Sequence, residues 1–331
     1  MSVAGGMSES KQWPGGWIQV KVPLPFSLRW VNSYLIPGRD GVTLVDPGLH
    51  TPEASACWER VMAQYGIGMP DIRLILITHQ HPDHYGLAGW FQQRTGAPVM
   101  MSRLSYAYTQ RLWGNDRRFG ESLVAMYAEH GMPQELLALI GPHLESFVER
   151  VSPQPEITFL ELSGSIRFGD REWEIIHTPG HAEGHLCFYD RLCKTMLCGD
   201  QVLPDITPNI SVVPDGDDNP LLTFLSSLKQ LRKYEVEFAW PGHRDPFSGF
   251  SERIEEIIGH HERRLAAIRR WLEEPLSAYE VFEKLFGQRV KGNVHNLRFA
   301  MSETLAHLYY LAGQGEAIAF RHNGQWSYRI K

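Results

Sequence analysis

Leu74-Ile75-Leu76-Ile77-Thr78-His79-Gln80-His81-Pro82-Asp83-His84 runs from a short apolar stretch into three imidazoles and a carboxylate packed within six residues. An apolar run of this length, closed by polar residues and a proline, reads as a buried strand that ends in a loop. Imidazole and carboxylate are ligands for first-row transition metals, and a loop leaving a rigid strand can aim all four side chains at one point. The rest of the chain supplies further ligands in the same way. Thr178-Pro179-Gly180-His181, Cys198-Gly199-Asp200 and Pro241-Gly242-His243 each follow a short apolar or β-branched run that reads as a strand ending in a turn. A solvated His-rich surface loop gives no reason for that repetition, so the four stretches are read together as one metal centre.

The chain has 331 residues, more than one average domain, which favours a large domain plus a small one. With 21% charged residues and a formal net charge of −6, its composition is that of a globular protein without general attraction to nucleic acid or an anionic membrane. Residues 1–12 are small and polar, without the apolar stretch of a signal peptide or anchor, and are expected to form a disordered tail. Apolar runs fall short of the roughly 20 residues that a membrane span needs. Cys57, Cys187, Cys193 and Cys198 are too few and too irregularly spaced for a disulfide framework, which points to a reducing, cytoplasmic setting.

Along the chain, residues 17–22, 30–36 and 42–46 alternate as strands, with Gly38-Arg39-Asp40-Gly41 as a hairpin turn. A helix over 52–65, the strand 74–78, a helix over 87–94 and a strand over 99–102 continue an α/β alternation. Residues 103–150 break it. They read as a helical insertion, with helices over 121–129 and 134–150, whose aromatics Tyr106, Tyr108, Trp113, Phe119 and Tyr127 suit internal packing and whose position after the metal loop suits a lid. Strands return over 157–203, followed by a helix over 221–233 and a strand over 236–240. Ile254, Ile257, Ile258, His261, Leu265 and Ile268 then recur at helical spacing until Pro275. Helices over 277–286 and 296–313 precede a hairpin turning at Asn323-Gly324, a pattern like a small winged-helix domain. The expected organisation is therefore a tail (1–12), a metal-binding α/β domain (13–250), and a linker helix with a winged-helix-like domain (251–331).

His79-x-His81-x-Asp83-His84, then His181, Asp200 and His243, with Asp46 upstream in Val45-Asp46-Pro47-Gly48, resembles the metallo-β-lactamase superfamily over residues 17–250. The resemblance implies an αββα sandwich with a dinuclear metal site at one edge. It implies His79, His81 and His181 as ligands of a first metal, Asp83, His84 and His243 as ligands of a second, and Asp200 as the bridge. Asp46 would stand behind them and orient a ligand imidazole. Zinc β-lactamases carry a cysteine where Asp200 stands and often lack the counterpart of His84. This chain instead resembles the glyoxalase II-like branch of thioester hydrolases, and the lactonases and nucleases that share its ligands. The C-terminal pattern resembles the winged-helix appendage of some members.

The chemistry expected of such a centre needs no serine or cysteine nucleophile. Two divalent ions about 3.5–4 Å apart lower the pKa of a shared water far enough to hold a bridging hydroxide at neutral pH. Zinc is the first choice, with iron or manganese also suited to this donor set. Asp83 and Asp200 are the carboxylates expected to serve the reaction, Asp83 by handling a proton or orienting the nucleophile. Cys198 reads as buried and inert. Of the other ten histidines, His50 and His185 lie close to the motifs and are the candidates to support a ligand from behind. The leading expectation is hydrolysis of a thioester or related acyl ester. A metal-dependent nuclease, a lactonase and a mononuclear iron persulfide dioxygenase are the alternatives, and a fold-mate with a decayed site is disfavoured because no ligand position is missing. From Pro275 to Lys331 Lys and Arg outnumber Glu by seven to four, too small a surplus for a nucleic-acid footprint. Arg103, Arg111, Arg117 and Arg118, interspersed among the aromatics of the insertion, suit an acyl chain on an anionic carrier such as glutathione or coenzyme A. The C-terminal region from Pro275 to Lys331, with Phe320, Trp326 and Tyr328 on its hairpin, is expected to shape the substrate entrance or a homodimer interface.

Overall fold

The computed structural model of the protein describes residues 9–114, 117–290 and 292–331. Two sheets face each other. The first runs in the order β1 (Ser10–Gln12), β2 (Ile18–Pro23), β3 (Trp30–Gly38), β4 (Gly41–Val45), β5 (Ile72–Leu76), β6 (Val99–Ser102) and β7 (Ile157–Leu160). Its first four strands form an antiparallel meander and β4 to β7 are parallel. Parallel neighbours need crossovers. α1 (Pro52–Tyr65) supplies one, and α2 (Pro82–Tyr85) with α3 (Ala88–Thr95) the next. The third is longer and holds α4 (Arg103–Trp113), α5 (Phe119–Glu129) and α6 (Gln134–Glu145). The second sheet has the order β12-β11-β10-β9-β8, from β8 (Ser163–Phe168), β9 (Arg171–His177), β10 (Leu186–Asp190) and β11 (Thr195–Gly199), with β12 (Phe238–Pro241) reached through α7 (Pro220–Leu231). All its pairings are antiparallel except β11 with β12.

Alternation along the strands fills three layers. Tyr34, Ile36, Val45 and Leu76 of the first sheet meet Trp173, Ile175, Phe188, Leu197 and Trp240 of the second, all buried. Val31, Leu35, Leu44 and Ile75 point the other way, onto Trp58 of α1 and Phe91 of α3. Ile176, Cys187, Met196 and Cys198 cover the outer face of the second sheet under Phe224 and Leu228 of α7. Local signals set the element ends. Thr51 caps α1 by accepting from the Ala54 amide at 3.1 Å, and Gly66 ends it in the left-handed region. β5 stops at Leu76, short of Thr78, whose amide is claimed by the Asp46 carboxylate at 2.8 Å.

Two expectations change. The tail is not disordered throughout: Ser10–Gln12 pairs antiparallel with the start of β2. Its polar composition resembles a tail, yet an edge strand needs only one neighbour's backbone to form. Residues 1–8 lie outside the described residues. The second change is the helix expected over 134–150, which ends at Glu145 after the internal Pro142.

Beyond β12 the chain forms the long α8 (Phe250–Trp271), the two-residue β13 (Leu276–Ser277), α9 (Ala278–Leu285), α10 (Val294–Gly313) and the hairpin β14 (Ala317–His322) and β15 (Gln325–Ile330). β13 adds to the hairpin to give a small antiparallel sheet in the order β13-β15-β14. This region shares its core with the insertion. Leu123, Tyr127, Leu137 and Ile140 of α5 and α6 belong to one buried cluster with Val281, Phe282, Leu297, Met301 and Tyr328. Glu129 of α5 also accepts from Arg321 at 2.9 Å and from Trp326 at 3.3 Å on the hairpin. Among the described residues no helix is long and apolar enough to cross a membrane, and all four cysteines are free thiols.

Because the core is continuous, truncation after Leu272 should expose the α5–α6 face and give an aggregating product, as followed by light scattering and loss of a cooperative unfolding transition. The point substitution Phe282→Ala should cost about 3–5 kcal/mol in denaturant unfolding. A soluble, cooperatively folded fragment of residues 9–272 would contradict this account of the packing.

Candidate metal centre

The C-terminal ends of β4, β5, β9, β11 and β12 lie along one edge of the sandwich, and each hands a side chain to the same point. Asp46 follows β4 with a positive φ of 49°. That conformation turns its carboxylate onto the next strand, where Oδ1 accepts from the Thr78 amide and Oδ2 from the Thr78 hydroxyl at 2.7 Å. Oδ2 also accepts from His84 Nδ1 at 2.9 Å, so Asp46 orients the His84 imidazole.

Of the other ligand imidazoles, all but His81 are also held from behind. His79 Nδ1 lies 2.9 Å from the Thr78 hydroxyl, His181 Nδ1 donates to the Asn209 carbonyl at 2.8 Å, and His243 Nδ1 donates to the Trp30 carbonyl at 2.9 Å. A ring fixed through Nδ1 presents Nε2. His84, His181 and His243 do so: their Nε2 atoms and Asp200 Oδ1 are buried without a hydrogen-bond partner among the described residues. His79 Nε2 and His81 Nδ1 approach to 3.0 Å. Asp200 lies between the two groups, with Oδ1 3.5 Å from His84 Nε2 and Oδ2 3.7 Å from His181 Nε2 and 3.4 Å from His243 Nε2. Asp83 Oδ2 is 3.3 Å from His243 Nε2.

The inward atoms form groups that could each hold an ion: His79 with His81 and His181, Asp83 with His84 and His243, and His79 with His84 and Asp200. Orphaned Nε2 atoms converging with two carboxylates suit a divalent cation, because only a positive centre satisfies all of them at once. Charge agrees with that. Burial holds His79, His81 and His181 below the ordinary imidazole value, in the neutral form that ligates metal. Burial alone would raise the Asp83 and Asp200 carboxyls, yet His84 and His243 outweigh it and hold both low. Against the same burial penalty Asp200 lifts His84, and lifts His243 to about 10.

Close approach at this edge requires glycine. A Cβ on Gly242 would lie 2.2 Å from Asp200 Oδ1 and 2.6 Å from His84 Cε1. His185, near the ligands in sequence, is a support: its Nε2 accepts from the Asp200 amide at 3.2 Å while Nδ1 donates to Thr178. His50 instead contacts the Ser152 carbonyl. Cys198 is buried, its thiol pushed up by burial and donating to the Val202 carbonyl, so it stands apart from the ligands.

A cavity of about 450 Å³ opens over the ligands, with His81, Asp83, His181, Asp200 and His243 in its floor. Three of the five insertion aromatics, Tyr108, Trp113 and Phe119, line it as well as pack, which local sequence could not distinguish. Of the four insertion arginines, Arg117 lines the cavity and pairs with Glu145 at 2.6 Å. Arg111 donates to the carbonyls of Pro214 and Asp215, and Arg103 lies over the Phe159 ring at 4.0 Å.

Sequence reasoning assigned the 275–331 region to a substrate entrance or a dimer interface but singled out none of the α10 residues that reach the cavity. His295, Asn296, Arg298 and Phe299 line the cavity. Asn209, which steadies His181, is itself held by Glu303 of α10 at 3.0 Å, and Glu303 pairs with Arg264 of α8. Glu303 also stands with His261 and His307 in a buried cluster. Its carboxylate already serves Arg264 and Asn209, and His261 and His307 bond each other at 3.2 Å, so that cluster is a hydrogen-bond network.

The family profile described as "Metallo-beta-lactamase superfamily" matches residues 29–243, and "Metallo-beta-lactamase-like, C-terminal domain" matches residues 265–330. A Bacillus subtilis protein named probable metallo-hydrolase YqjP is 28% identical over 324 residues, covering 94% of this chain and 96% of its own. A crystal structure of a metallo-beta-lactamase family protein from Thermus thermophilus is 33% identical with a TM-score of 0.86, covering 96% of this chain and 99% of that one. A beta-lactamase domain protein from Burkholderia ambifaria is 27% identical, also with a TM-score of 0.86, covering 99% and 97%. Among more distant relatives, a Cryptosporiopsis protein named atrochrysone carboxyl ACP thioesterase dmxR1 is 21% identical over 273 residues, 82% of this chain and 66% of its own.

Asp46→Ala leaves the Thr78 amide and His84 Nδ1 without their acceptor. Metal affinity should fall on the order of 10–100-fold by titration with a competing chelator. Far-ultraviolet circular dichroism should stay unchanged, and unaltered metal affinity would refute the orienting role.

Proposed function

The chain belongs to the metallo-beta-lactamase superfamily, and on that premise we propose that it is a dinuclear metallohydrolase acting on a thioester or related acyl ester. The observation that carries the reading is a largely apolar cavity, walled by Phe26, Leu28, Leu112, Trp113 and Phe147, that opens directly on the metal-ligand side chains. His79, His81 and His181 would hold one divalent ion, Asp83, His84 and His243 the other, and Asp200 both. Seven ligands exceed the four to six positions of one first-row ion, which favours two. Zinc is the first candidate, with iron or manganese as alternatives. Such a pair supplies a water acidic enough to attack at neutral pH and an electrophile for the substrate's carbonyl oxygen.

The residues of the chain do the rest. Apolar walls strip water from an acyl chain and position its carbonyl over the ligands. Asp83 is the ligand carboxylate with most access to the cavity, its side chain 16% exposed against 9% for Asp200, and it is the group placed to orient the attacking water beside the carbonyl carbon. A thiolate leaves with little protonation, so one carboxylate suffices, whereas a phosphodiester asks for more charge neutralisation around its leaving oxygen. The thioesterase name of a distant relative supports the same substrate class. The C-terminal helices and hairpin are taken as winged-helix-like, serving the substrate cavity rather than nucleic acid. A cytoplasmic setting suits the free thiols.

The test is turnover of acyl-glutathione, acyl-coenzyme A, lactone and phosphodiester substrates by the metal-loaded protein. Thioester hydrolysis should stop on chelation and return with divalent metal, and Asp200→Ala should abolish it while far-ultraviolet circular dichroism shows the fold retained. Cleavage of single-stranded RNA with no thioester turnover would replace this reading by a nuclease, and oxygen consumption on a persulfide by a dioxygenase.

A further inference from the structure

Arg298 sits in the second turn of α10 and lines the cavity. Among the described residues no carboxylate lies within ion-pair distance of it, and its Nε is buried without a hydrogen-bond partner. Its guanidinium carbon lies 4.2 Å from the Phe299 ring centroid, and the acidic groups facing it are the phenols Tyr108 and Tyr127, which burial keeps neutral, rather than carboxylates. Two structural arginines nearby in the chain show the contrast. Arg253 donates to the Leu203 and Ile206 carbonyls at 2.6 and 2.9 Å, and Arg269 makes a two-pronged pair with Glu316. Arg117, the other arginine on the cavity wall, is neutralised by Glu145.

A guanidinium presents five N–H donors in a planar fork that fits carboxylate or phosphate, and withdrawing it from water without an acceptor is costly. Two imidazoles stand beside it. His143 and His295 lie 5.6 Å apart between ring centroids, and His143 Nε2 and His295 Nδ1 are buried without partners among the described residues. Burial first, and the Arg298 charge second, holds them down to about 4 and about 3, so at neutral pH each is an uncharged ring able to donate one hydrogen bond.

We infer that Arg298 binds an oxyanion of the substrate, carboxylate or phosphate, and that the C-terminal region thereby selects anionic acyl substrates at the metal centre. The inference rests on the reading of this cavity as the substrate site. The Phe299 ring fixes the plane of the fork, His295 adds a neutral donor, and an incoming oxyanion completes the charge pair that the fold leaves open. The acyl group then runs from that end of the cavity along the Phe26 and Phe147 wall.

Binding to the metal-loaded full chain tests this without turnover. Two matched pairs of non-hydrolysable thioethers distinguish the oxyanion sources: S-hexylglutathione against its diethyl ester, and S-hexyl-coenzyme A against S-hexylpantetheine. Calorimetry should show that the wild type prefers the anionic member of at least one pair by about 10- to 100-fold, the range for a hydrogen-bonded charge. R298Q should bring that pair to parity while the neutral member still binds as before, which also reports an intact fold, and R298K should keep part of the preference. Absence of a preference in both pairs, or one that survives R298Q, overturns the inference. A preference that depends on Arg298 in a protein that turns over no thioester supports the inference and removes the thioester reading alone.

Discussion

The Asp46 carboxylate is the constraint on which the rest of the site depends. It is buried, and it collects the Thr78 amide, the Thr78 hydroxyl and His84 Nδ1. Hydrogen bonds to a charged group contribute about 1.5–3 kcal/mol each, and a buried carboxylate stripped of them would be severely destabilising. The first of these bonds ends β5 and starts the ligand loop. Thr78 then passes the restraint to the second sheet, because its carbonyl accepts from the Leu186 amide at 3.0 Å. One side chain therefore fixes the loop bearing four of the candidate ligands and sets it against the sheet that delivers the other three.

A parallel restraint works from the other side of the sandwich. Asn32 of β3 donates to the Pro241 carbonyl at 3.0 Å, and Tyr34 donates to the same carbonyl at 2.6 Å. Those bonds hold the Pro241-Gly242-His243 turn onto the first sheet, next to the Trp30 carbonyl that orients His243. The C-terminal region reaches the centre by a longer route, from Arg264 to Glu303 to Asn209 to His181. Burial raises Glu303 above the usual carboxyl value, with Arg264 and Asn209 opposing it, so the link is strongest when both partners are in place. Geometry at a metal site is tuned by such outer contacts as much as by the ligands.

The sandwich and its ligand stretches are legible in the sequence because their signals are local. Alternation marks the strands, and each ligand stretch stands within a few residues of a strand end. The helical insertion is visible as a loss of alternation. What stays hidden depends on partners far apart in the chain. Nothing in the sequence around Asn209 announces that its carbonyl meets a residue 28 positions earlier and its amide one 94 positions later. Arg298 looks like any arginine on an amphipathic helix until the fold shows that no carboxylate among the described residues pairs with it. The edge strand at Ser10–Gln12 reads as tail because polar composition reports solvent exposure, which an edge strand shares with disorder.

The central proposal is that the seven side chains brought together by the fold hold two ions, and anomalous diffraction from crystals of the metal-loaded protein tests it most directly. Data on either side of the metal absorption edge should show two peaks about 3.5–4 Å apart. One should lie among His79, His81 and His181, the other among Asp83, His84 and His243, with Asp200 touching both. A single fully occupied peak in crystals grown with excess metal, leaving either group of three without an ion, would contradict the account.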